Sequence, residues 1–170
     1  DFSLEYLLDF KEAMNLDLGD AQLQLDGQML GFMESSNDSL SFSLNSKIDY
    51  LKYWNDEDVY FLLNTNLICS VSNHMVDGYA GNINADIEFN SDRIYASGNI
   101  YDVKSKITLL NHDLNVSASG KYEENIVSEI DANLLFTNSE IQLNIKKLDF
   151  NYNQFNISNR NNLLLTYSAE

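Results

Sequence analysis

The sequence of 170 residues contains no proline and a single cysteine. Proline removes a ladder donor, so its absence suits a chain built mostly of paired strands, which have few places for it. Compositional drift in a chain rich in Asn, Ile, Tyr and Leu produces the same profile. One cysteine excludes an intrachain disulfide. Cys69 falls on the apolar phase of its segment and reads as a small buried hydrophobe rather than a nucleophile or metal ligand. Cations are also scarce: 10 Lys and Arg stand against 26 Asp and Glu, for a net charge of −16. Nucleic acid needs a basic footprint that is missing here, and the exterior repels anionic surfaces. No apolar run reaches the ~18 residues of a membrane-spanning helix, and no signal-peptide pattern opens the chain. The start at Asp1 and the stop just after Leu163–Tyr167 suggest an excised segment of a longer protein.

The chemistry-bearing motifs are missing as well. His74 and His112 each sit in a turn-type cluster, with no HExxH, CxxC or Cys-His pairing to make a zinc site. The carboxylates of Asp56-Glu57-Asp58 and Glu123-Glu124 lack the Asp-x-Asp-x-Asp-Gly spacing of a calcium loop and read as solvated loops. There is no Gly-rich phosphate loop and no Gly-x-Ser-x-Gly elbow. The expectation is a protein that is not an enzyme and uses no metal or cofactor. Trp54, near the end of a strand, reads as a partly buried aromatic.

What is present is alternation. Leu40, Phe42, Leu44, Ser46, Ile48 and Tyr50 share one phase, with Ser41, Ser43, Asn45, Lys47 and Asp49 on the other. Successive strand side chains point to opposite faces, so this is a half-buried strand. Val59 to Val71, Tyr79 to Phe89, Leu114 to Tyr122, Ile126 to Phe136 and Ile141 to Ile145 repeat the pattern. The apolar phase carries no formal charge. Runs of about 10 to 12 residues exceed the usual ~5 to 6. Polar clusters at Ser35–Asp38, Asn73–Gly78, Asn90–Asp92 and Asn111–Asp113 read as short turns, which are too short for crossover helices. The pairing is therefore mostly antiparallel, in a meander of about ten strands. The small-Gly steps at Leu25-Asp26-Gly27, Ala96-Ser97-Gly98 and Ala118-Ser119-Gly120 suggest repeated curvature. Only residues 1–15 differ: Leu4, Leu7 and Leu8, with Ser3 as a cap, predict one short helix. The expected organisation is one all-β domain over 1–170, with that helix followed by a curled sheet over 20–170.

A sheet with one apolar face must bury it. One short helix cannot cover ten long strands, and at about 25 cal/mol per Å² a wet face costs tens of kcal/mol. A self-filled β-sandwich, a closed barrel and an open trough filled by another apolar substance all satisfy the pattern. Periodicity alone balances sandwich against groove. A membrane barrel and a lipocalin-like carrier are further alternatives.

The opening Phe2-Ser3-Leu4-Glu5-Tyr6-Leu7-Leu8-Asp9-Phe10, running into Leu16-Asp17-Leu18-Gly19-Asp20-Ala21-Gln22-Leu23-Gln24-Leu25-Asp26-Gly27, resembles the leucine-rich segment and "Gly-x-Leu-x-Leu-x-Gly" strands of AsmA-like and TamB-like proteins. The end, Leu143 to Phe150 and Ile157 to Ser168, has their rhythm of strand, Asn-rich turn and strand. The resemblance lies in rhythm across most of the chain and includes no diagnostic motif. It implies a segment of a bacterial envelope protein in the periplasm, with an open "β-taco" whose apolar interior carries phospholipid or other acyl-chain lipid between inner and outer membranes. It also implies an outer-membrane assembly protein as a partner. The lining residues it implies are Leu44, Phe61, Leu63, Leu67, Ile83, Ile87, Phe89, Val116, Ile130, Leu134 and Leu143. The alternative is a structural or adhesive sandwich module with a self-filled core.

Overall fold

Alternation at period two is realised almost throughout. The computed structural model describes residues 2–36, 38–76, 79–123, 126–137, 139–152 and 154–168. Eleven strands carry them: β1 (Phe2–Asp17), β2 (Ala21–Ser36), β3 (Ser39–Asn55), β4 (Val59–Val76), β5 (Tyr79–Ala96), β6 (Asn99–Leu110), β7 (Asp113–Tyr122), β8 (Ile126–Phe136), β9 (Glu140–Tyr152), β10 (Phe155–Ser158) and β11 (Leu163–Ser168). Each of β1 to β10 pairs antiparallel with its neighbour in chain order, and β11 pairs with β9. The result is one open meander. Among the described residues the first strand does not pair with the last, so no barrel closes. Nor does the sheet fold back as a sandwich, because extensive contacts run only between hydrogen-bonded neighbours.

The structure corrects the N-terminal helix: residues 2–17 form β1. Phe2, Leu4, Tyr6, Leu8 and Phe10 alternate as well as any later run, and Leu7 is what gives the segment its helical look. Antiparallel pairing with β2 decides the outcome by satisfying the backbone, and the Tyr6 ring sits directly over Gly31. The strands β1 to β5 are also longer than the alternation alone implies, at 16 to 18 residues. Asn90-Ser91-Asp92 is not a turn but the middle of β5. His74 lies in β4 rather than in a turn. Of the expected turn at Asn73–Gly78, Asp77 and Gly78 lie outside the described residues, as does Asn37 of the first cluster.

A crease explains why the alternating runs are shorter than the strands. Register shifts interrupt the ladder between Phe10 and Met14, at Asp26/Gly27, and between Tyr101 and Lys104. Gly27 (φ 147°), Asn64 (φ 46°) and Asp102 (φ 51°) have left-handed backbones along the same line. Bulges of this kind bend a strand and increase its twist. Asn and Asp tolerate the left-handed region better than other non-glycine residues. On the crease, the Thr65 and Ser91 hydroxyls are buried and 2.8 Å apart. Ser91 Oγ is also 3.1 Å from the Leu63 carbonyl. With Ser91 donating to that carbonyl, Thr65 donates to Ser91, and both hydroxyls are satisfied.

The strands β10 and β11 are two halves of one strand lying along the outer side of β9. Asn159 fills the break. Its Oδ1 accepts from Leu148 N at 2.6 Å, and its Nδ2 is 3.2 Å from the Ile145 and Lys146 carbonyls and 3.0 Å from that of Asn161. Asn159→Ala leaves these backbone groups without their side-chain partner. The expected cost is about 1–3 kcal/mol, read as a lower urea midpoint with an unchanged slope.

Candidate functional site: the apolar face

Residues directly opposite each other in a ladder share a face. Following the register from strand to strand therefore maps the two surfaces. One row runs Leu4, Met33, Phe42, Val71, Ala85, Leu109, Leu114, Leu134, Leu143, Leu165, crossing the sheet from β1 to β11. The next row, from Tyr6 through Leu44, Cys69, Ile87, Ile107, Val116 and Ala132 to Leu163, also contains no charge. Beyond the crease a third row runs Met14, Leu25, Leu51, Leu62, Ile94, Ile100, Tyr122, Ile126, Tyr152, Phe155.

The third row lies on the same face as the first two, although the parity of the residue numbers changes in β3, β4, β5, β6 and β9. A Cβ on Gly120 would lie 3.4 Å from the Ile100 side chain and 3.7 Å from that of Val103, so Ile100 and Val103 share its face. Their numbers differ by three because the β6 bulge lies between them. Asp49 in β3, Asn64 in β4, Asp92 in β5 and Asp102 in β6 thus reset the alternation at the crease and keep the apolar face continuous across the bend.

That reset corrects two of the expected lining residues. Phe61 and Leu63 pair with Tyr95 and Arg93 and lie on the opposite face. There Phe61 stacks on Tyr95 at 5.1 Å and 7°, and the Arg93 guanidinium lies 4.9 Å from Phe61 and 5.5 Å from Tyr101. Arg93 Nε donates to Asn99 Oδ1 at 2.8 Å. Leu62, not Phe61 or Leu63, is the apolar-face residue of this stretch. Tyr50, opposite Leu63 and Asp26, is displaced with them. The other expected residues, Leu44, Leu67, Ile83, Ile87, Phe89, Val116, Ile130, Leu134 and Leu143, all lie on the apolar face. Leu25, Leu51, Leu62, Ile94 and Ile100 were missed. For Leu51, Leu62, Ile94 and Ile100 the signal is a short polar residue (Asp49, Asn64, Asp92, Asp102) breaking an otherwise regular run.

The face is not covered. Among the described residues only Leu25 and Ala132 are buried hydrophobics, while Leu4, Leu8, Leu165 and Phe155 are at least 46% exposed. Between β6 and β9 the face forms an open trough of about 480 Å³ whose lining includes Ile100, Val103, Tyr122, Ile130, Leu148 and Phe150. This falls in the ~300–1,000 Å³ range of small-molecule sites. Ser46 lies on the same face, 1% exposed, with its hydroxyl oxygen unpartnered.

The opposite face carries the charged residues, several of them ion-paired across neighbouring strands. Lys106 meets Glu88 at 2.5 Å and Asp86 at 3.8 Å, Lys147 meets Glu129 at 2.6 Å, and Lys121 meets Asp102 at 2.7 Å. The hydrogen bond from Lys121, then its charge, lowers the Asp102 carboxyl below its ordinary range. The hydrogen bonds that Lys106, Lys121 and Lys147 donate to Glu88, Asp102 and Glu129 likewise raise the three lysines. These exposed pairs contribute little individually. The Asp102 contribution is present above the unfolded carboxyl pKa and is lost on acidification through the lowered one. The lysine contributions are present below the unfolded lysine pKa and are lost as pH rises through the raised ones. The expected thermal midpoint is therefore highest between the two ranges and falls slightly at both ends of a pH series.

Trp54 is half-buried at the end of β3, with Lys52 Nζ 4.6 Å above its ring. The Asp56–Asp58 loop is organised by Asn55 Oδ1, which accepts from Glu57 N at 2.9 Å and Asp58 N at 2.6 Å. Among the described residues, no group of three or more His, Cys, Asp or Glu is arranged to hold a metal ion, and no helix is long and apolar enough to cross a membrane. No family model matches the chain, and neither does any curated protein or solved structure.

Proposed function

We propose that the apolar face accommodates the acyl chains of phospholipids or related lipids, and that the chain is a non-catalytic segment of an envelope conduit. The observation that carries this reading is the uncovered face, continuous from β1 to the last strand and free of charge along its rows. Acyl chains laid along those rows remove apolar surface from water at about 25 cal/mol per Å². Head groups stay at the open edge in solvent. No bond is made or broken, so the residues act only by shape and polarity. In this reading the segment works in the periplasm of a bacterium with two membranes, passing lipid between them or supporting outer-membrane assembly.

The test is to purify the chain without detergent, extract it and identify bound lipid by mass spectrometry, then titrate the stripped protein with a fluorescent polyene fatty acid. Stoichiometric co-purified phospholipid and saturable fatty-acid binding support the reading. A folded, lipid-free protein that does not take up the probe would transfer support to the structural or adhesive module.

A further inference from the structure

The two edges of the sheet match each other. Along β1 the rows begin at Phe2, Leu4 and Tyr6, and along β11 they end at Tyr167, Leu165 and Leu163. The strand β11 runs antiparallel to β9, which runs parallel to β1, so β11 and β1 have opposite directions. A second copy shifted by one sheet width therefore brings its β1 beside β11 as an ordinary antiparallel neighbour. Phe2 then falls opposite Tyr167, Leu4 opposite Leu165 and Tyr6 opposite Leu163, and each apolar row continues unbroken into the next molecule.

The edges are also poorly defended. Proteins blunt free strands with lysine, proline or bulges. The stretch Leu163–Ser168 carries no charge and no proline, and it is exposed throughout. Residues Phe2–Phe10 pair with β2 without a bulge, leaving their outer side regular. Charge bears on one competing pairing, β1 against β1. Two β1 strands side by side set an edge bearing Glu5 and Asp9 against its like, whereas β1 against β11 places Glu5 opposite Leu164.

We infer that the chain associates head to tail with a second copy of itself, β1 of one against β11 of the next, extending the sheet and its apolar face. This contact is heterologous and does not close on itself, so it propagates. It does not depend on lipid.

In the full chain with Cys69→Ser, Ser3→Cys and Thr166→Cys are made separately. These two positions fall opposite each other in the inferred register. Each variant is checked for a strand-type circular dichroism spectrum. The expected result is a disulfide-linked dimer when the two variants are mixed and oxidised, and none from either alone. Light scattering of the unmodified chain is expected to show a mass above 19.4 kDa that grows with concentration, and Leu164→Glu, which sets a like charge directly opposite Glu5, should suppress it. A chain that stays monomeric at every concentration overturns the inference. So does a disulfide dimer formed by Ser3→Cys alone or Thr166→Cys alone, since either reports a like-to-like contact.

Discussion

Gly27→Ala is expected to destabilise the sheet by about 2–4 kcal/mol. Gly27 has φ 147°, where an L side chain is strained whatever the space around it. Space is also missing: an added Cβ would lie 2.4 Å from the Lys47 carbonyl oxygen and 2.8 Å from Ile48 Cα. Both are backbone atoms of β3, so neither can rotate away. The crease must open or β2 must slip in register, and a slip of one residue turns the apolar side chains of that strand to the wrong face. Gly19 is the internal control. It also has a positive φ, 84°, but nothing lies within 4 Å of a Cβ added there. Gly19→Ala should cost only the backbone term, about 1 kcal/mol. Urea unfolding of the two variants beside the parent chain measures the difference. Equal losses would show that the close approach at Gly27 does not matter.

The second large effect concerns cargo. Val116→Glu places a carboxylate between Ile107 and Ala132 on the apolar face. Its neighbour Ser117 lies on the polar face between Lys106 and Asp131. Burying an unpaired charge under an acyl chain is costly, so Val116→Glu is expected to weaken fatty-acid binding at least about tenfold. Ser117→Glu adds the same charge one residue away, next to a lysine, and should leave binding close to that of the parent chain. Equal losses in both would mean that net charge, not the face, governs uptake.

Much of this architecture was legible in the alternation itself. Antiparallel order, the meander and the division into charged and uncharged faces all follow from period two and short polar turns. The crease was not legible, because alternation assumes that parity holds along a strand. Asn64 in the left-handed region shifts the phase by one. Phe61 and Leu63, perfectly in phase with Leu67 on paper, therefore turn to the other face beside Arg93. Asn90-Ser91-Asp92 misled for the same reason: short polar residues serve a bend within a strand as readily as a turn between strands. At the N-terminus, Leu4, Leu7 and Leu8 imitate a helical stripe, yet every second residue from Phe2 to Phe10 is apolar. Pairing with β2 prevails over helix propensity, which is a weak prior against tertiary context.

The most direct measurement uses two phenylalanines on opposite faces. A benzophenone-bearing phenylalanine analogue replaces Phe89 in one protein and Phe61 in another, each is irradiated in cells, and covalently attached lipid is sought by mass spectrometry. The account predicts phospholipid adducts at position 89, opposite Leu67 and Ser105 on the apolar face, and none at position 61, beside Tyr95 and Arg93. Adducts at 61 and not at 89, or at neither position in a folded protein, would contradict it.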